Sequence, residues 1–160
     1  MFSGLPGVGK TTIARALAAE LQAVHVRIDS IEHALRSAGW TVDSEGYRVA
    51  YAIAEDNVRL GRIVVADCVN PWPATRREWS LVAERAAVRV IPVEVLCSDV
   101  DEHRRRVEAR VADIIGHRLP TWADVIERDY RPWDVDRLVV DTARLNVQQS
   151  VQTILSAISA

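Results

Sequence analysis

Residues 4–11 carry the pattern Gly-x-x-x-x-Gly-Lys-Thr, a phosphate-binding loop that normally joins a buried strand to a helix. Its glycines let backbone N–H groups converge on phosphate oxygens, and the helix behind them adds the positive end of its dipole. An apolar stripe over residues 13–21 predicts that helix directly after the loop. A chance match is expected in roughly one chain per few hundred. The pattern and its context therefore favour a working nucleotide site.

Strand and helix patterns alternate along the rest of the chain. Short apolar or alternating runs predict strands at 24–28, 63–67, 88–96 and 137–141. Apolar residues at helical spacing predict helices at 29–38, 48–60, 75–86, 99–115, 121–130 and 147–158. This alternation calls for a parallel sheet with helices on both faces, and ligands of such sheets bind beyond the carboxyl ends of the strands.

Several of these helices also carry signals for their start and their buried face. The spacing of a capping box occurs at Asp29 with Glu32, Thr75 with Glu78 and Thr121 with Asp124. The residues expected to face the core are Val49, Ile53 and Leu60; then Trp79, Val82, Ala83 and Ala86; and, in the helix from 99, Val100, Val107, Val111 and Ile114.

The composition is that of one ordinary globular domain over residues 1–160. A net charge of -2 gives no basic field that would favour nucleic acid or an anionic membrane. Cys68 and Cys97 lie far apart and are interpreted as free thiols of a reduced cytoplasm. The sequence shows neither a signal peptide nor an apolar run near 18 residues, so we expect a cytoplasmic protein outside the membrane.

Other classes of nucleotide-binding protein fit the sequence poorly. Asp113-Ile114-Ile115-Gly116 matches one GTPase pattern but lies in the wrong element, and the base-reading Asn-Lys-x-Asp pattern is absent. A transporter-type ATPase signature is absent too, and the chain is short for a ring ATPase with its helical lid domain. A compact kinase remains.

At this point the chain resembles the small-molecule kinases with a phosphate-binding loop: gluconate, shikimate and adenylyl-sulfate kinases, and chloramphenicol phosphotransferase most closely. The matching stretches are GLPGVGKTT, VRIDSIEHALR, IVVAD followed by NPWPATR, and EHRRRVEAR. The resemblance implies a three-layer α/β fold with a five-stranded parallel sheet in the order 2-3-1-4-5. It also implies a small helical lid at about 99–130, ATP with Mg²⁺, and transfer of the γ-phosphoryl group to a hydroxyl of a small acceptor.

The nucleotide is expected on the loop and the first helical turn. Lys10 would reach the β- and γ-phosphates, and the Thr11 hydroxyl would bind Mg²⁺. Asp67 ends the most apolar strand and is the second metal-side candidate. The expected nucleotide-binding residues are Gly4, Leu5, Pro6, Gly7, Val8, Gly9, Lys10, Thr11 and Thr12.

The acceptor is expected beside Asp29, which the resemblance makes the base or anchor for the acceptor hydroxyl. The alternative is that Asp29 only caps its helix, and the two roles are compatible. Arg76 is an acceptor candidate, since the family often holds the acceptor with an arginine near this place; Arg77 is next to it, and one of the two is expected in solvent. The further acceptor candidates are Arg36, Trp40 and Asn70, with Trp72 as a possible wall of the pocket.

Arg106 and Arg110 are the predicted lid arginines, because the resemblance implies a lid helix at this point and their spacing puts them on one flank. Such arginines stabilise charge on the transferred phosphoryl group. The alternative is a solvated charged face supported by Glu102 and Glu108. RNA binding by the arginine triplet is a weaker interpretation, since no aromatic stacking surface accompanies it.

Two rival functions stay open at this stage: a nucleotide or polynucleotide 5′-kinase, and a non-catalytic ATP-binding switch or toxin-like protein. The strand before the loop is also unusual, since only Met1 to Ser3 precede Gly4 and a strand typically has about 5–6 residues. We therefore expect either further apolar residues upstream or a less stable form.

Overall fold

The computed structural model describes residues 1–116 and 118–159, in which strands and helices alternate. The predicted domain, 1–160, includes two residues outside that part, and the predicted lid, 99–130, includes one. The strands are β1 (Phe2–Ser3), β2 (Val24–Arg27), β3 (Val64–Asp67), β4 (Val93–Leu96) and β5 (Leu138–Asp141). The helices are α1 (Lys10–Glu20), α2 (Ile28–Ser37), α3 (Glu45–Arg59), α4 (Pro73–Arg85), α5 (Val100–Ala109), α6 (Trp122–Ile126) and α7 (Val147–Ser159).

Every strand pair in the described chain is parallel, as the alternation predicts. β1, β4 and β5 form a three-stranded sheet in that order, and β2 pairs with β3 separately. A continuous five-stranded sheet is therefore not what the strand pairing shows. β1 lies beside β3 all the same, and just beyond it the Gly4 N–H donates to the Val69 carbonyl over 3.1 Å. Because β1 has two residues, it offers little backbone for a ladder on both of its sides.

Two apolar clusters form the core. One joins β1, β4 and β5 to α1 and α7, with Phe2, Ile13 and Ile154 almost fully buried. The other lies among β2, β3, α2, α3 and α4, and its largest member is Trp79. The strands are thus covered by helices, which is the layered α/β arrangement that the sequence predicts.

The predicted buried face of α3 is wrong. Val49, Ile53 and Leu60 are exposed, and the side turned to the core carries Gly46, Ala50 and Ala54. A Cβ on Gly46 would come 2.4 Å from Cγ of Glu32 on α2, so the helices approach closely there. Small residues permit that approach, and the aromatic rings around them supply the buried volume.

Two predicted helix starts need correction, and one helix is shorter than predicted. α2 begins at Ile28, so Asp29 occupies its second position and not the N-cap. α4 begins at Pro73, and Thr75 donates its hydroxyl to the Trp72 carbonyl over 2.9 Å instead of capping with Glu78. The box of Thr121 with Asp124 is present, but α6 ends at Ile126.

The predicted helix 99–115 is also too long. α5 ends at Ala109, and Arg110 has an extended backbone. Its buried side is made by His103 and Val107, whereas Val100 and Val111 are exposed. The chain after α5 is therefore a loop, so Arg110 is not held on a helical flank with Arg106.

Candidate nucleotide and acceptor site

A cleft of about 2040 Å³ opens at the carboxyl ends of the strands. Its walls include the loop before α1, the ends of β2 and β3, α2, α3, and the segment that follows α5. The residues after β5, from Thr142 to Asn146, close the side near the loop. Parallel strands deliver these separate parts of the sequence to one edge, so the cleft extends from the loop before α1 to α2, α3 and α4.

The loop 4–9 is held in place by its glycines. Gly4 has φ +136°, and a Cβ there would lie 2.1 Å from the Val95 carbonyl oxygen. Gly7 has φ +85°, and its Cβ would lie 2.4 Å from Cγ2 of Val107. Since a side chain at either position would clash and strain the backbone, glycine lets the loop pack closely on β4 and α5.

Lys10 is a buried cation at the base of this loop. Its Nζ donates to the Leu5 carbonyl over 2.8 Å, which places the ammonium inside the curve of the loop. Burial lowers the pKa of Lys10 to about 8, although the negative charges of Asp67 and Asp29 favour its protonated form. A positive charge at this place, lining the cleft, suits a phosphate ligand.

Thr11 and Asp67 supply oxygen atoms next to Lys10. Burial alone would raise the pKa of Asp67, but hydrogen bonds from His25 and Thr11 and the charge of Lys10 hold it below its usual value. The Asp67 carboxylate is buried and lies 3.3 Å from Nε2 of His25. A hydroxyl beside a carboxylate fits Mg²⁺, which takes few protein oxygens and completes its shell with water and phosphate. Among residues 1–116 and 118–159, no group of three or more His, Cys, Asp or Glu side chains could hold a metal.

Asp29 lies in the first turn of α2 and lines the cleft. Its carboxylate is more than a third exposed and lies 3.5 Å from Nη2 of Arg27. Its negative charge also acts on Lys10. The structure therefore turns Asp29 to the cleft near the loop lysine, and the interpretation as a helix cap does not hold.

The two predicted lid arginines line the cleft in different ways. Arg106 donates to Thr142 through Nη1 to the hydroxyl (2.9 Å) and Nη2 to the carbonyl (3.1 Å). Its Nε donates to Glu102 over 2.7 Å. Arg110 lines the cleft close enough to Lys10 for its charge to oppose protonation of that lysine. Arg106 thus closes the side wall, and Arg110 faces the region of the loop.

The comparisons with known proteins agree with this geometry. A family model described as "AAA domain" matches residues 1–128. The chain belongs to this family of P-loop kinases. The probable adenylyl-sulfate kinase of Aeropyrum pernix is 26% identical over 168 residues, covering 99% of this chain and 91% of that protein. The adenylyl-sulfate kinase of Synechococcus sp. (strain JA-3-3Ab) is 27% identical over 168 residues, covering 98% and 91%.

A solved structure shows the same fold. The APS kinase of Mycobacterium tuberculosis, in complex with AMPPNP and APS, superposes with a TM-score of 0.76 at 20% identity. The match covers 99% of this chain and 95% of that chain. These matches confirm the resemblance to P-loop small-molecule kinases and the P-loop α/β fold. Within the described residues, no helix is both long enough and apolar enough to cross a membrane.

Two predicted acceptor residues of this P-loop kinase lie outside the cleft. Arg76 is buried, donates to the carbonyls of Asn70, Pro71, Arg131 and Pro132, and stacks on Tyr130 and Trp133. Asn70 is fully buried, and its Nδ2 donates to the Phe2 carbonyl over 2.8 Å. Their polar groups hold loops together, so neither is free to bind an acceptor.

The other acceptor candidates are divided. Arg36 lines the cleft and pairs with Glu32 over 2.8 Å. Trp72 lines it too, with Nε1 donating to Asp129 over 3.1 Å. Trp40 is exposed and does not line the cleft.

The sequence analysis missed several other arginines that line the cleft. Four of them have side chains that make no hydrogen bond or ion pair to another described residue: Arg48, Arg77, Arg118 and Arg128. Arg77 directly follows the buried Arg76, and its direction differs because α4 turns by about 100° per residue. The helical period could have separated the two, since Arg76 shares a face with Trp79 and Ala83.

The sequence analysis also missed Arg27, a buried arginine at the end of β2. Its Nη1 and Nη2 bind the Asp113 carboxylate over 2.7 and 3.1 Å, and Arg15 of α1 adds a further bond to Asp113. The hydrogen bond from Arg27, then that from Arg15, holds the pKa of Asp113 well below its usual value. These bonds tie the loop after α5 to β2 and α1, and an arginine within a strand was the available signal.

Proposed function

We propose that this protein is an ATP-dependent kinase that transfers the γ-phosphoryl group of ATP to a hydroxyl of a small acceptor. The observation that carries the proposal is that Lys10, Thr11, Asp67, Asp29 and Arg110 all line one cleft. A phosphate site, a metal-side oxygen pair and a carboxylate that lines the cleft are the parts that phosphoryl transfer needs. A cytoplasmic location, where ATP is available, belongs to the same proposal.

Each part has a role in this proposal. The loop N–H groups and Lys10 bind and orient the phosphates. Mg²⁺, which Thr11 and Asp67 would hold, would supply positive charge to the phosphate oxygens. Arg110 offsets negative charge that develops during transfer, and Arg106 with Thr142 shapes the neighbouring wall. Asp29 orients the acceptor hydroxyl and accepts its proton.

The acceptor in this proposal carries a negative charge. Four arginines without ion-pair partners among the described residues line the cleft: Arg48, Arg77, Arg118 and Arg128. Exposed guanidinium groups around a cleft attract phosphate, sulfate or carboxylate groups. The relatives named adenylyl-sulfate kinases make adenylyl sulfate the first acceptor to test.

The proposed architecture is one domain with its strands in the order 2-3-1-4-5. The Gly4 N–H bond to the Val69 carbonyl and the contacts between β1 and β3 support joining the two observed sheets along that line. The loop after α5 and α6 then form the lid over the nucleotide. That proposal covers about residues 99–130, including one residue outside the described part.

The test is an ATP-consumption screen over adenylyl sulfate, sugars, sugar acids, nucleotides, antibiotics and 5′-hydroxyl oligonucleotides. We expect one small anionic acceptor to be phosphorylated, and Asp29→Asn to lose about 10²–10⁴-fold in kcat while still binding ATP. Lys10→Ala should lose ATP binding or turnover. ATP binding without transfer to any acceptor would instead indicate a switch, and transfer only to oligonucleotides would indicate a polynucleotide kinase.

A further inference from the structure

His103 is a buried histidine on α5 that the proposed chemistry does not use. It is 6% exposed, and its Nε2 lies 2.8 Å from the Pro6 carbonyl oxygen. Because a carbonyl oxygen only accepts, Nε2 must carry the hydrogen of this bond. His103 does not line the cleft, whereas Pro6 and Gly7 do. The imidazole therefore supports the loop from the side opposite the ligand.

The bond fixes the orientation of a peptide group. The peptide that joins Pro6 to Gly7 is planar and trans, so its C=O and N–H point in opposite directions. Since His103 holds the C=O from behind, the Gly7 N–H points away from α5 and toward the cleft. An N–H in that direction is one of the donors that a phosphate-binding loop presents to its ligand.

Packing fixes the imidazole in turn. The ring of His103 meets the ring of Trp122 edge-on, with centroids 5.1 Å apart and an interplanar angle of 87°. Trp122 begins α6, and Val107, one turn after His103 on the buried face of α5, packs under Gly7. The imidazole thus has little freedom to turn away from the Pro6 carbonyl, and the loop geometry depends on the contact between α5 and α6.

We propose that His103 is a positioning residue for the phosphate-binding loop: its Nε2–H anchors the Pro6 carbonyl and thereby presents the Gly7 N–H to a nucleotide phosphate. This inference rests on the proposed nucleotide site. It assigns to α5 a function beyond carrying arginines, because the buried face of the helix then determines the shape of the loop.

The test compares His103→Leu, which removes the donor, with His103→Gln, whose amide N–H reaches a similar position. Arg104→Gln on the exposed side of α5 serves as the control. Calorimetry measures the Kd of ATP and the Kd of adenosine for each protein. We expect His103→Leu to bind ATP about 10-fold more weakly, as for one lost buried hydrogen bond, with adenosine binding unchanged. His103→Gln should recover most of the ATP affinity, and Arg104→Gln should match the parent.

The outcomes separate the two proposals. If the parent does not bind ATP, the proposed function fails. If the parent binds ATP and His103→Leu binds it equally well, only the role of His103 is wrong. Equal loss of ATP and adenosine binding in His103→Leu, or no recovery in a folded His103→Gln, also overturns it, since a general packing defect does not depend on the phosphates. The melting temperature of each variant verifies that it is folded.

Discussion

At the scale of the residue, Lys10 shows how the loop sets a property that the sequence alone does not specify. The motif predicts that this lysine binds phosphate, and the structure adds that it is buried. Because burial lowers its pKa to about 8, its charge changes within an accessible pH range. An exposed lysine would keep its proton to about pH 10.

We expect ATP binding by the parent to weaken as the pH rises through about 8 and beyond. The pKa of Lys10 is lowered to about 8, so the proton is lost on the alkaline side, and with it the charge that attracts phosphate. Bound ATP favours the charged form, which moves the midpoint above that value in titrations with excess ligand. Calorimetric Kd values from pH 7 to 9.5 provide the measurement. Lys10→Arg is the matched control, because arginine keeps its charge throughout; an equally steep slope in that variant would exclude Lys10 as the cause.

At the scale of the residue, the adjacent arginines Arg76 and Arg77 are a second example. The sequence analysis places Arg76 at the acceptor, although the helical period puts it on the face of α4 that also carries Trp79 and Ala83. The deciding contacts of Arg76 are carbonyls about 55 residues away, at Arg131 and Pro132. Long-range partners of this kind leave no trace in short sequence spacing.

We expect Arg76→Lys to lower the free energy of unfolding by about 1–3 kcal/mol, because one ammonium cannot satisfy carbonyls that the guanidinium reaches in several directions. Arg77→Lys should leave stability within about 0.5 kcal/mol and raise the KM of the acceptor. Urea unfolding and steady-state kinetics measure the two effects. The reverse pattern, with acceptor KM changed only by Arg76→Lys, would return Arg76 to the acceptor site.

At the scale of the element, sequence periodicity identified most helices and misplaced some of their faces. The large apolar residues of α3 predicted its buried face, whereas Ala50 and Ala54 are turned to the core. α5 was extended to residue 115 because its apolar spacing continues past Ala109. In both cases contacts with neighbouring elements determine the structure. α3 packs closely against α2, and after α5 the Asp113 carboxylate binds Arg27 and Arg15.

Substitution of Asp113 tests how the loop after α5 is held in place. We expect Asp113→Asn to lower the free energy of unfolding by about 1–3 kcal/mol, because buried Arg27 loses its carboxylate partner. Removing the exposed partner by Arg15→Gln should cost less than about 1 kcal/mol. Because the pKa of Asp113 is lowered in the folded state, its carboxylate contributes fully to the free energy of unfolding above about pH 4. This contribution is lost as the pH falls through the folded-state pKa.

Denaturation of the parent and of Asp113→Asn at several pH values provides the measurement. The difference between them should be the same at pH 7 and pH 5 and should shrink only in stronger acid. A difference that disappears between pH 7 and pH 5 would mean that another group, and not the Asp113 carboxylate, stabilises this loop.

At the scale of the whole molecule, the order of elements and the location of the cleft were predictable. Gly4 to Thr11 and Asp67 lie at strand ends, and parallel strands bring such ends to one edge. The sheet is less continuous than predicted, since β1 is confined to Phe2 and Ser3. The proposed acceptor wall was less predictable, because its arginines come from α3, α4 and the segments after α5 and α6 and share no motif.

The proposed nucleotide site takes residues from α1, from β3 and from the loop after β1, so ATP should stabilise the whole fold. Ligand that binds only the folded state raises the free energy of unfolding, by about 2.7 kcal/mol at 100 times its Kd. For a domain of this size we expect ATP with Mg²⁺ to raise the melting temperature by roughly 5–10 °C.

The part of this increase that requires Mg²⁺ should be lost in Thr11→Val, which keeps the volume and removes the hydroxyl. Scanning calorimetry with ATP, with and without Mg²⁺, measures it, and Thr153→Val on α7, which does not line the cleft, is the control. An undiminished Mg²⁺ effect in Thr11→Val would place the metal away from Thr11 and remove the basis for pairing that hydroxyl with Asp67.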